Sequence, residues 1–408
     1  MNTRRCTSVL TTIPFLIALV LLIVVNVQVR QRWAAEEELR SAMDNMRQSQ
    51  WQPALQSLET ANKQDPANAY YYSNLALVHE RMAGHSIEPF TLEHPAFSED
   101  EMGHLRAAVQ SYQNTLRLNP SDDAAQHNLA WLYWFLRDDN QAIEHAQRAV
   151  ELDRSSYLYH VSLGLLHEIS GDKAAAFTEY ETAVYLSPGL LDSRFFRDLR
   201  RRSPNEVHAM IDEVTAKLEA RLQNGFDPPV AGRLGRLYMQ PQPQRSLDLL
   251  SAAITALPNL SRPWANLGRL YELRGDKQRM KECYERALFL DGSQSLAWYR
   301  LGSYYEELNQ PQEAARCYER AVNAALKPDS NHFLVVRRIY VSGYAVPDDV
   351  VPEGLLSYIA ANLDLPEVCR RLARIYSAAG NAERAKYFAE LGEQQAREID
   401  FSSGADAP

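Results

Sequence analysis

Two passages of this chain repeat each other at a fixed interval. "WANLGRLYELRGDKQRMKECYERALFLD" starts at Trp264, and "WYRLGSYYEELNQPQEAARCYERAV" starts 34 residues later, at Trp298. Trp264, Leu267, Gly268 and Tyr271 fall at i, i+3, i+4 and i+7, which is one face of an α-helix. Gly275-Asp276 interrupts the pattern as a turn, and Met280, Tyr284 and Ala287 mark the inward face of a second helix. Trp298, Leu301, Gly302 and Tyr305, a turn at 309–311, and Ala314, Tyr318 and Ala321 repeat that arrangement. Each copy reads as a helix–turn–helix hairpin. Such a hairpin cannot bury both faces alone, so neighbouring copies must stabilise it.

The pattern extends well beyond these two copies. Gln126, Leu129, Ala130, Tyr133, Ala142, Ala146 and Ala149 form one further unit, and His160, Leu163, Gly164, His167, Ala176, Tyr180, Ala183 and Pro188 the next, in phase. Ala54, Leu58, Ala61 and Pro66 read as the second half of a first unit whose opening helix starts near Ala34. Tyr72, Leu75, Ala76 and His79 open another, completed by Ala108, Tyr112, Thr115 and Pro120. Leu372, Ala373, Tyr376, Ala385 and Ala389 suggest a last unit. The W-x2-L-G-x2-Y opening, the later A-x3-aromatic and the 34-residue period resemble the tetratricopeptide repeat. Small residues let paired helices approach closely, and large ones fill the space between hairpins. The resemblance implies an all-α fold, a right-handed α-solenoid of helix hairpins whose first helices line a concave groove.

The N-terminal thirty residues depart from this pattern. No charge occurs from Cys6 to Val29, a stretch of about 36 Å as a helix, against a hydrocarbon layer of ~30 Å. Arg4 and Arg5 precede it, and no small-residue cleavage site follows. The reading is a basic tail at 1–7 and a retained transmembrane anchor at 8–29. Arg4 and Arg5 stand against Arg30, Arg32, Arg40 and Arg47, so charge counting leaves both orientations open. A short basic tail that stays in the cytoplasm would place the array outside it, as in a single-pass protein of a bacterial inner membrane. The remaining layout is an N-terminal array at 34–188 with an insert at 84–103, a non-repeat helical linker at 189–229 and a C-terminal array at 230–326. An irregular segment at 327–364, a terminal capping hairpin at 365–397 and a disordered tail at 398–408 complete it. Within the second array, Leu234, Gly235 and Tyr238 are in place, but the second helix of that unit is out of step by one residue.

Catalytic signatures are absent from the sequence, and no cofactor or metal is called for. "HERMAGH" at His79 to His85 crosses a glycine and has the wrong spacing for the zinc-protease H-E-x-x-H. His79 and His167 occupy the eleventh repeat position, where an aromatic packs in the family. Cys283 and Cys317 share one repeat position in successive units, roughly 10 Å apart, beyond the ~7 Å reach of a disulfide. With Cys6 and Cys369 they read as free thiols. A net charge of −9 with no long basic run argues against nucleic acid.

Attention therefore falls on the groove that the resemblance implies. Its positions would hold Tyr70, Asn74, Leu77, Asn128, Trp131, Trp134, Phe135, Val161 and Leu165, an apolar and aromatic floor studded with asparagines. Further along they would hold Arg233, Arg236, Arg262, Asn266, Arg269 and Arg300, a basic stripe. Chaperone-tail binders of the family use a lysine at the fifth position; here that position holds Ser73, His127, Val161, Ala265 and Tyr299. A further cluster, Arg194, Arg197, Arg200, Arg201 and Arg202, suits a solvated helix face, with anionic lipid head groups or an acidic partner as alternatives. The expected function is a non-catalytic, membrane-anchored scaffold or adaptor that binds a peptide or protein partner, resembling bacterial anchored repeat proteins of envelope assemblies. An accessory subunit or enzyme of envelope polysaccharide assembly or secretion, and a binder of lipid chains, remain as alternatives.

Overall fold

The computed structural model describes residues 6–48, 50–83, 97–326 and 363–400, with side chains from residue 22 onward except 47, 194 and 394–400. Among these residues every regular element is helical. They divide into two compact units, one built from 6–83 and 97–136, the other from 137–326 and 363–400.

The first unit comprises α1 (Cys6–Arg47), α2 (Trp51–Gln64), α3 (Ala69–Met82), α4 (Glu99–Leu118) and α5 (Asp123–Phe135). The helix expected from Ala34 and the uncharged stretch before it are one continuous helix, because nothing after Pro14 interrupts it. Ala35, Leu39, Ala42 and Met43 of α1 share a core with Ala54, Leu55, Leu58 and Ala61 of α2 and with Tyr71, Leu75 and Val78 of α3. Among the described residues no helix is long and apolar enough to cross a membrane. The anchor expected at 8–29 falls, over 8–21, on side chains outside the described set. The insert expected at 84–103 ends earlier than its boundary suggested. Ser98 Oγ accepts the Glu101 amide, and Glu101 Oε2 accepts the Ser98 amide at 2.7 Å. This capping box starts α4 at Glu99, since it satisfies two amides that the first turn otherwise leaves bare.

The second unit contains α6 (Asp139–Leu152), α7 (Tyr157–Ile169), α8 (Lys173–Leu186), a 3-10 turn (Pro188–Asp192), α9 (Arg194–Arg202) and α10 (Pro204–Gln223). It continues with α11 (Pro228–Leu237), α12 (Pro243–Ala256), α13 (Ser261–Leu273), α14 (Lys277–Leu290), α15 (Ser295–Glu307) and α16 (Pro311–Leu326), and ends with α17 (Leu365–Ala378) and α18 (Ala382–Asp400). Turn chemistry explains the hairpins. Gly275 takes φ 76° and ends α13, and Asp276 Oδ1 then accepts the Arg279 amide at 3.1 Å to start α14. The two quoted tryptophans close the preceding turn in the same way: Trp264 Nε1 donates to the Pro258 carbonyl at 3.0 Å, and Trp298 Nε1 to that of Gly292 at 2.8 Å.

In the hairpins that carry it, the recurring glycine has a steric reason. A Cβ on Gly164, Gly268 or Gly302 would lie 2.6, 2.9 or 2.5 Å from a ring carbon of Tyr180, Tyr284 or Tyr318, sixteen residues on. A Cβ on Gly235 would instead meet Leu250 at 2.8 Å, fifteen residues on. That is the one-residue phase shift of this unit seen in space. In the same hairpin Ser246 Oγ donates to the Gly235 carbonyl at 2.6 Å.

Residues 189–229 form a 3-10 turn and two helices. Phe195 and Phe196 of α9 are buried, with ring centroids 5.2 and 6.0 Å from that of Tyr180. α10 packs on α8 and α11, which carries the helical stacking across the gap in the repeat pattern. The terminal hairpin is present as α17 and α18. Because α18 runs to Asp400, the expected tail begins no earlier than 401; that tail and most of the segment at 327–364 lie outside the described residues.

Candidate partner-binding surface

In the first unit, the expected floor residues are interior. Tyr70 and Leu77 belong to the core shared with α1 and α2, and Trp131, Trp134 and Phe135 of α5 are each at least 95% buried. Trp131 meets Trp134 edge to face at 5.7 Å, and Phe97 meets Phe135 at 5.8 Å. Asn74 Nδ2 donates to its own helix, at the Tyr70 carbonyl 2.8 Å away, and Asn128 Nδ2 to the Tyr112 hydroxyl at 2.9 Å. These side chains are packing and buried hydrogen-bonding groups here. Val161 and Leu165 of α7, in the second unit, are buried as well.

The basic stripe stands differently. Arg233 and Arg236 of α11, Arg262 and Arg269 of α13 and Arg300 of α15 are drawn from the first helices of successive hairpins in the second unit, and all but Arg262 are partly buried. Arg236 pairs with Asp192. Arg269 Nη1 and Arg300 Nη1 both reach Glu272 Oε1, at 2.9 and 3.0 Å. Arg233 Nη1 donates to the Tyr185 carbonyl at 3.4 Å and its guanidinium lies over the Tyr185 ring. Asn266 Nδ2 donates to the Gly232 carbonyl at 3.5 Å.

Electrostatics confirms the crowding. Burial, then repulsion from Arg269, holds the Arg236 guanidinium down at about 10. Arg233 is likewise lowered, first by burial, with Arg262 among the like charges acting on it. Both remain cations at neutral pH. The structure therefore brings these arginines into mutual range, while only two carboxylates, Asp192 and Glu272, form ion pairs with them among the described residues.

A second pattern was not anticipated from sequence. Tyr180, Tyr284 and Tyr318 each donate their hydroxyl to a glutamate twelve residues earlier, Glu168, Glu272 and Glu306, at 2.7, 3.1 and 2.7 Å. Each glutamate also meets an arginine from a later helix: Arg202, Arg300 and Arg371 at 2.5, 3.0 and 2.9 Å. Arg300 thus belongs to a structural node as well as to the stripe, and so does Arg371 of α17, whose guanidinium lies over Tyr299. The sequence signal was the twelve-residue Glu–Tyr spacing. The corresponding pair in the first unit is Glu80 and Tyr112, with Asn128 where the others place arginine. Glu80 is fully buried, and burial drives its carboxyl well above the ordinary carboxylate range against a smaller opposing effect of the Tyr112 hydroxyl.

His79 packs, as its repeat position implies, but it faces another histidine: its Nδ1 lies 3.0 Å from His104 Nδ1. Cys283, Cys317 and Cys369 are buried free thiols, pushed up to about 12, 11 and 11 by burial. Among the described residues no group of three or more histidines, cysteines or carboxylates is placed to hold a metal ion. In the α9 cluster, Arg202 pairs with Glu168 and Arg201 with Asp198 at 3.1 Å, while Arg197 and Arg200 are exposed.

Models of the tetratricopeptide repeat match residues 98–156 and 127–190, 261–293, and 295–325. The chain therefore carries tetratricopeptide repeats, a motif that points to protein–protein interaction. BBSome complex member BBS4 of Mus musculus is 32% identical over 87 residues, 21% of this chain and 16% of that protein. Its Xenopus tropicalis counterpart is 34% identical over 87 residues, 21% and 17% of the two chains. The chain thus spans about a sixth of the length of these curated relatives. Among solved structures, the MamA protein is 13% identical with a TM-score of 0.32, over 54% of this chain and 91% of that one. A tetratricopeptide repeat protein from Parabacteroides merdae is 14% identical with a TM-score of 0.32, over 72% and 93%.

Proposed function

We propose that this protein is a non-catalytic, membrane-anchored scaffold, and that an acidic segment of its protein partner docks along the arginines of α11, α13 and α15. The observation that carries the reading is the imbalance of charge there: Arg233, Arg236, Arg262, Arg269 and Arg300 against the two bonded carboxylates Asp192 and Glu272. Partner carboxylates would relieve the repulsion between Arg236 and Arg269. Guanidiniums held by neighbours lose little freedom on binding, which favours charge-assisted hydrogen bonds. The interior position of Trp131, Trp134 and Phe135 directs the reading to the basic stripe and away from an apolar floor.

Support for the anchor comes from α1. Its backbone is helical from Cys6 to Arg47, no charge occurs between Cys6 and Val29, and Leu22, Ile23, Val24, Val25, Val27 and Val29 are all exposed. A bilayer would cover such a surface. Trp33, 75% exposed beside Arg30 and Arg32, suits the headgroup level. With Arg4 and Arg5 retained in the cytoplasm, the array would stand outside it, on a bacterial inner membrane.

The test is affinity capture from solubilised membranes with wild type and with Arg262→Glu/Arg269→Glu. The expected result is at least a tenfold drop in recovery of the bound partner, at unchanged helicity. Equal recovery removes the stripe as the docking surface. Carbonate extraction of the full chain and of a chain lacking residues 1–29 tests the anchor separately, and a full chain released by carbonate refutes it.

A further inference from the structure

α3 and α4 are joined through the segment 84–96, and each carries one histidine toward the other. His79 Nδ1 and His104 Nδ1 are 3.0 Å apart, with ring centroids 5.3 Å apart and the planes inclined by 36°. Both rings are half-buried. At this distance one ring donates an N–H to the other, so the two are opposite tautomers.

We propose that His79 and His104 are a two-histidine site for a divalent transition-metal cation, with water completing its coordination. The distance is short enough for one cation to bridge both rings. Metal–imidazole bonds of roughly 2.05 Å spanning 3.0 Å subtend about 94° at the metal, whereas a tetrahedral angle would need about 3.3 Å. An angle near 90° is that of cis ligands in a tetragonal or octahedral field, the arrangement Cu2+ or Ni2+ adopts with imidazole and water. On binding, the donor ring shifts its one proton from Nδ1 to Nε2. Both Nδ1 lone pairs are then available to a bound cation.

The protonation state suits this role. Burial, then the neighbouring His104, lowers His79 to about 4, which favours the neutral imidazole that a metal ion binds. The site bridges the two helices of one hairpin, and a bound cation would cross-link them where the hydrogen bond now does. The proposal rests on other side chains than the arginine stripe and is independent of the docking reading.

The experiment uses the full-length protein in detergent, stripped with chelator and titrated with Cu2+ at pH 7. Equilibrium dialysis gives stoichiometry, and electron paramagnetic resonance reports the nitrogens bound. Wild type is expected to bind one equivalent with a two-nitrogen signal. His79→Gln and His104→Gln, each checked for native helicity, should each weaken it at least tenfold, while His208→Ala, on the exposed face of α10, should leave it unchanged. A wild-type protein without a two-nitrogen signal overturns the proposal, as does an unaltered signal in either folded glutamine variant.

Discussion

The Tyr318 hydroxyl donates to Glu306 Oε2 at 2.7 Å, tying the second helix of a hairpin to its first. Arg371 Nη1 completes the triangle, 2.9 Å from the same carboxylate oxygen and 3.2 Å from the hydroxyl. Burial and the Glu306 hydrogen bond push the Tyr318 phenol up to about 12, so it stays a donor throughout the working pH range. The equivalent node at Tyr284 and Glu272 carries two arginines.

That node should be sensitive to loss of its carboxylate. Glu272→Ala leaves Arg269 and Arg300 facing each other without their shared acceptor, and should cost about 1–3 kcal/mol. Tyr284→Phe removes one hydrogen bond and should cost less, about 0.5–1.5 kcal/mol. Urea unfolding of both variants checks the order; a Tyr284→Phe loss larger than that of Glu272→Ala would contradict it.

Gly302 offers no room for a side chain. A Cβ there would sit 2.5 Å from the Tyr318 ring, and Gly302→Ala should destabilise by roughly 1–3 kcal/mol as the ring is forced off its hydrogen bond. Gly103, in α4, has nothing within 4 Å of its would-be Cβ. Gly103→Ala should be neutral or stabilising by up to ~1 kcal/mol through helix propensity. Thermal melts of the two variants should move in opposite directions or differ by several degrees.

Two buried groups give the first unit pH dependences of opposite sign. His127 is fully buried, accepts the Trp131 indole N–H at 3.3 Å and is lowered to about 3 by burial. Its neutral form is favoured by folding, so the stability it supports is complete above about 6.5 and is lost as pH falls toward 3. Glu80 is raised, so its contribution is complete below about 4.5 and is lost as pH rises toward its folded value. Glu80→Gln should therefore raise the urea midpoint at pH 8 relative to wild type, and by less at pH 5. An equal effect at both pH values would rule out a titrating Glu80.

Backbone conformation supplies a fourth test. Gly275 holds φ 76° between α13 and α14, and an alanine there should cost about 1–2 kcal/mol. Asn309 occupies the matching turn at φ 56°. Asn309→Gly should be close to neutral, since asparagine already tolerates that region, and differential scanning calorimetry would separate the two.

Period and residue size alone determined the hairpins: small residues at Gly164, Gly268 and Gly302, with an aromatic sixteen residues later, can be accommodated only if two helices touch there. The one-residue slip at Gly235 and Leu250 was legible for the same reason, because a local pattern encodes a local contact. The Ser98–Glu101 capping box was also written in the chain, although the repeat register alone placed the end of the insert later. What the tertiary structure decided was which side chains are left for a partner. A groove position names the face of a helix but not what covers it, so Trp131 and Trp134 read as surface and proved interior. Ion pairs and contacts between residues distant in the chain, such as Arg300 with Glu272 or His79 with His104, depend on side-chain reach across neighbouring helices, and no single helix's periodicity contains that information.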